Sequence, residues 1–104
     1  MELKWAPAAR RDVLRLYSFL DPVNPRAAAK VMQRLIAAPQ RLLEHPRLGG
    51  CLEEFSPQEV RRIFVGPYEL RYQVNEGQIV VCAFGMGERT GDFPTEVFAM
   101  IGSR

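Results

Sequence analysis

The chain is poor in the residues that build metal sites, disulfide frameworks and hydrolytic triads. It carries two cysteines, Cys51 and Cys82, and one histidine, His45, in 104 residues. No CxxC pair is present, so neither a zinc site nor a disulfide framework is expected, and both thiols read as buried or incidental. His45 lies in a Pro-flanked segment away from both cysteines, which argues against a nucleophile activated by a neighbouring base. Long apolar runs are missing too, none approaching the roughly 20 residues of a membrane helix. "MELKWAPAAR" lacks the basic-then-apolar order of a secretory signal. The expectation is a cytoplasmic protein with no membrane partner, no metal and no cofactor.

Lysine is scarce as well. Only Lys4 and Lys30 stand among the 14 basic residues, and the other cations are arginines, whose planar forks suit bidentate contact with carboxylate or phosphate. Net charge is +2, which by itself says little about nucleic acid. The 47% hydrophobic and 25% charged content is that of an ordinary globular protein, and the length predicts one domain over residues 1–104 with a single modest core. No repeat, linker or low-complexity segment interrupts it.

The first half has helical periodicity. "MELKW" reads as a short strand with Leu3 and Trp5 on one face, and Pro7 suits the first turn of a helix. Val13, Leu16, Tyr17 and Leu20 then form an apolar stripe, with Arg10, Arg11, Asp12 and Arg15 elsewhere on the circle. Asn24 followed by Pro25 predicts the cap of a second helix, lined by Ala28, Val31, Met32, Leu35 and Ile36. Pro39 predicts a kink or a restart before Leu42 and Leu43.

The second half changes period. Ile63 and Val65, then Tyr68, Leu70, Tyr72 and Val74, alternate with Glu69, Arg71 and Gln73 as strands do. Gly66-Pro67 and "NEG" at 75–77 supply the turns. "QIVVCAF" at 78–84 is apolar on both faces and is expected to be central or covered. Phe93, Val97, Met100 and Ile101 suggest a short C-terminal helix. The predicted class is α+β: an N-terminal helical hairpin on one face of a small, mainly antiparallel sheet. Arg61, Arg62 and Arg71 are expected on the half that the helices leave open.

Among candidate motifs, "GMGERTG" lacks the Lys-Ser/Thr ending of a phosphate loop and reads as a turn. Glu53, Glu54, Glu59, Glu69 and Glu88 are available as general bases, but cross-strand ion pairing of Arg62 with Glu69 competes with that role. Phe64 and Phe93 are candidates for stacking, and Phe84 for the core.

"AARRDVLRLYSFL", "NPRAAAKVMQRLIAAPQRLLEHPRLG" and above all "EVRRIFVGPYELRYQV" resemble, in order and spacing, the RelE/ParE superfamily of type II toxins. The resemblance covers nearly the whole chain. It implies a cognate antitoxin partner and either of two activities: messenger RNA cleavage on the ribosome, as in RelE-type members, or non-catalytic poisoning of DNA gyrase, as in ParE-type members.

The ribonuclease pattern would use Arg62 and Arg89 as basic residues, with Glu69 or Glu88 having to act as the base. Phe64, however, stands where that pattern has a further cation, Glu69 replaces an arginine, and Phe93 lacks the expected ionisable hydroxyl. The ParE pattern fits "RRIFVGPYELRY", although the closing "GMGERTGDFPTEVFAMI" is closer to the RelE branch. The reading favoured by these residues is a ParE-like toxin with no catalytic residues. Arg62, Phe64, Glu69, Arg71, Glu88, Arg89 and Phe93 would meet its partners.

Overall fold

The computed structural model describes residues 1–86. The expected C-terminal helix, together with Glu88, Arg89 and Phe93, lies outside them.

β1 (Glu2–Trp5) leads into α1 (Pro7–Leu20) and α2 (Pro25–Ala37). Both helices begin with proline in the first turn, where its missing N–H leaves no bond unmade. Asn24 caps α2 by accepting a hydrogen bond from the Ala27 N–H at 3.1 Å. α2 ends at Ala37 and the chain tightens into a 3-10 helix over Ala38–Leu43, which is the restart that Pro39 predicts. β2 (Gly50–Cys51), β3 (Val60–Val65), β4 (Tyr68–Asn75) and β5 (Gln78–Met86) follow within the described residues. Gly66 and Gly77, at φ +59° and +78°, supply the left-handed backbone of the two hairpin turns.

The sheet order is β1-β5-β4-β3-β2, with β1 parallel to β5 and the other pairs antiparallel. The helical segment therefore carries the chain from one edge of the sheet to the other, covering one face. Ala9, Val13, Leu16 and Leu20 of α1 and Ala28 and Leu35 of α2 pack with Tyr68, Leu70 and Val81 into the main core. Each large aliphatic side chain buried there contributes about 1.5–3 kcal/mol. A second cluster of Leu42, Tyr72 and Ile79 sits with the 3-10 helix.

β5 resolves its own double-sided apolar run. Arg71 pairs with Ala83 but Tyr72 pairs with Val81, so Cys82 is an extra residue at a bulge. Ile79 and Val81 point into the core before the bulge, and the inward parity passes to Phe84 and Met86 after it.

Two apolar residues leave the expected stripes. Tyr17 and Ile36 are exposed, because buried positions on α1 recur at 9, 13, 16 and 20 and the α2 contact centres on Ala28 and Leu35. Cys51 is exposed rather than buried, while Cys82 is half-buried with its thiol directed at Arg71 O, 3.4 Å away.

Candidate functional site: the open face of the sheet

Strand alternation places Arg62 and Phe64 of β3 and Glu69 and Arg71 of β4 on the face opposite the helices. Arg62 lies directly across from Arg71, and Phe64 across from Glu69. Two guanidiniums opposed in this way repel. The carboxylate between them offsets that repulsion: Arg71 Nε donates to Glu69 Oε2 at 2.6 Å, and Arg62 Nη1 is 3.9 Å from Oε1. Arg62 also lies over the Phe64 ring, with Cζ 5.3 Å from its centroid.

Glu69 is only 4% exposed although it sits on the open face. Gly85 pairs with Glu69 and Ala83 with Arg71, so small residues leave a cavity of about 180 Å³ lined by Glu69, Arg71, Ala83, Phe84, Gly85 and Met86. On the other flank, a groove of about 470 Å³ joins Arg62 and Phe64 to Arg41 and the exposed Leu48. Arg41 was not singled out from sequence, because helical periodicity alone gives no reason to bring it to the sheet edge.

Arg61 is not part of this face. It shares parity with Ile63 and Val65 and turns toward the covered side. There its Nη1 donates to Gly49 O at 2.7 Å and its Nε to Glu59 Oε2 at 2.7 Å. The hydrogen bond from Arg61, with help from Arg47, holds the Glu59 carboxyl below its ordinary range. Tyr72 completes the clamp: its hydroxyl donates to Pro46 O at 2.8 Å and accepts from Gly49 N–H at 2.9 Å. These contacts tie residues 46–49 to the sheet beside the open-face cluster.

The hydroxyl of Tyr68 faces the interior, packed with the Phe84 ring at 5.5 Å between centroids. Burial pushes it up to about 12, and it has no hydrogen-bond partner among the described residues. His45 is exposed in the segment leading to β2. Among the described residues, then, the open face brings together two arginines, a buried carboxylate and an exposed phenylalanine. This is a set that grips anions and planar groups. Proton transfer would fall to Glu69, whose two oxygens are already engaged by guanidiniums. No group of three or more potential metal ligands occurs among the described residues, and no described helix is long and apolar enough to cross a membrane.

A family model described as the ParE toxin of the type II toxin–antitoxin system, parDE, matches residues 3–91. This chain belongs to the ParE toxin family. The ParE fold agrees: a solved chain of a chromosomal ParDE TA system from P. aeruginosa superposes with a TM-score of 0.70 at 22% identity, covering 85% of this chain and 97% of that one. No curated protein matches it. Among the described residues the match takes in α1, α2 and β2 to β5 and all of β1 but Glu2, so the strands that carry Arg62, Glu69 and Arg71 lie within the part of this ParE chain that matches.

Proposed function

We propose that this ParE-family chain acts in the cytoplasm as a non-catalytic toxin that binds and poisons DNA gyrase and is neutralised by a cognate antitoxin. The observation that carries this reading is the state of Glu69, held between Arg62 and Arg71. A carboxylate fixed there orients the two guanidiniums, and it places negative charge where a cleaving site would have to accept an RNA phosphate. Arg62 and Arg71 then make charge-assisted contacts with acidic groups of the target, and Phe64, 40% exposed, adds apolar contact. Arg89, Glu88 and Phe93 are further contact residues in this proposal.

Neutralisation follows if the antitoxin covers the arginine face, through an interface exceeding about 1,000 Å². Purified toxin is expected to inhibit gyrase supercoiling and to trap cleaved DNA. Arg62→Ala and Arg71→Ala should weaken this inhibition by about tenfold or more each, as loss of a charge-assisted contact does. Gyrase unaffected at large toxin excess, together with new 5′ ends on translated message in primer extension, would replace this reading with ribosome-dependent cleavage.

A further inference from the structure

β1 ends the strand order, and among the described residues nothing pairs with its outer edge. Glu2 N–H donates to Gly77 O at 3.0 Å and Ala6 N–H to Val81 O at 2.9 Å. Alternate residues of a strand direct their peptide groups to the same neighbour, so Glu2, Lys4 and Ala6 serve β5 while Leu3 and Trp5 present N–H and C=O outward. Such an edge is a template for another strand. Beside it, on the helix-covered side, runs a groove of about 580 Å³ lined in part by Trp5, Val13, Leu14, Met32 and Ile36. Leu14 and Ile36 are 52% and 51% exposed.

We propose that this edge is a self-pairing surface, where a second copy of the chain docks antiparallel about a two-fold axis at Leu3. Antiparallel pairing must set outward-pointing residues opposite one another. Two registers meet that condition over the length of β1. With the axis at Lys4, the two Lys4 side chains oppose each other, an arrangement that repels. With the axis at Leu3, each Glu2 faces Lys4 of the second copy, giving two ion pairs by symmetry.

The alternation of Glu2 and Lys4, both exposed, is therefore self-complementary in one register and self-repelling in the other. That property fits a second copy of the chain. The same axis puts both helical layers on one side of a continuous sheet, with the two apolar grooves adjoining over the seam. Glu2 and Lys4 share the open side of the sheet with the arginine cluster but stand on β1, with β5 between them and Arg71, so sedimentation reads dimerisation apart from the gyrase assay.

The experiment is sedimentation equilibrium of the full chain, as wild type, Glu2→Lys, Lys4→Glu, an equimolar mixture of the two single variants, and the double variant. Wild type is expected to show a concentration-dependent dimer. Each single variant converts both attractive pairs to repulsive ones and should weaken the dimer by about tenfold. The mixture and the double variant restore opposite charges across the seam and should recover wild-type association. A chain that stays monomeric at every concentration overturns the proposal. So does a dimer unchanged by the single variants, or one that neither the mixture nor the double variant recovers.

Discussion

Tyr68 and Tyr72 occupy the same face of β4, two pleat repeats apart with Leu70 between them, and the same substitution at each should change stability in opposite directions. At Tyr72 the hydroxyl is bonded twice, to Pro46 O at 2.8 Å and from Gly49 N–H at 2.9 Å. Tyr72→Phe keeps the ring and leaves no cavity, but strands the buried Gly49 N–H, while the half-exposed Pro46 carbonyl is free to take a water. One stranded buried donor costs about 1–3 kcal/mol, so the expected loss is about 2 kcal/mol. For a chain of this size that is a fall in melting temperature of roughly 10 °C. At Tyr68 the hydroxyl is buried with no partner among the described residues. Tyr68→Phe removes a desolvated polar group at nearly constant volume and should stabilise the fold by up to about 1 kcal/mol. The gap between the variants, about 3 kcal/mol, is well resolved by urea unfolding if the two slopes agree with wild type. Equal losses at both positions, or a loss above about 1 kcal/mol for Tyr68→Phe, would refute the assignment of one hydroxyl as bonded and the other as orphaned.

The same phenol predicts an alkaline limb. Burial raises Tyr68 from 10.0 to about 12, so the unfolded chain gives up this proton first. Stability is fully retained below about pH 10 and falls by up to about 2–3 kcal/mol as pH rises to about 12, with burial of Tyr72 acting in the same direction. Urea midpoints measured across that range should decline less steeply in Tyr68→Phe. At Gly49 an added Cβ would meet the Arg62 carbonyl and the Tyr72 hydroxyl, whereas at Gly50 it would meet open space. Gly49→Ala should therefore lose about 2 kcal/mol by denaturant unfolding, and Gly50→Ala should stay within about 0.5 kcal/mol of wild type. Glu69→Ala removes the carboxylate that both Arg62 and Arg71 meet, and should cost about 2–3 kcal/mol in the same assay. If Glu69→Ala instead proves neutral, the carboxylate does not hold the two arginines together.

Much of the site was legible because strand alternation is a local property. Tyr68, Leu70 and Tyr72 claim one face of β4, which assigns Glu69 and Arg71 to the other without knowledge of any neighbour. The same rule carried a warning about Arg61, which alternates with Ile63 and Val65, but its cationic head drew it to the open face on composition. Its actual partners, Gly49 O and Glu59, depend on where residues 46–49 return to the sheet. Burial of Glu69 was not legible, since strand alternation assigns it to the open face and says nothing of how far it is shielded there.

The amino-acid sequence alone determined the order of the first strand, the two helices and the three long strands, the cap and proline that start α2, and the alternation that separates an apolar face from an arginine-bearing one. Those follow from periodicity and from the stereochemistry of single residues. Tertiary structure alone decided that β1 lies parallel beside β5, that β5 changes parity at Cys82, and that Tyr17 and Ile36 remain at the surface. Each of these depends on which distant segment arrives as a neighbour. A helix or strand specifies which side is apolar, but the share of that side taken out of water is set by the width and position of what packs against it.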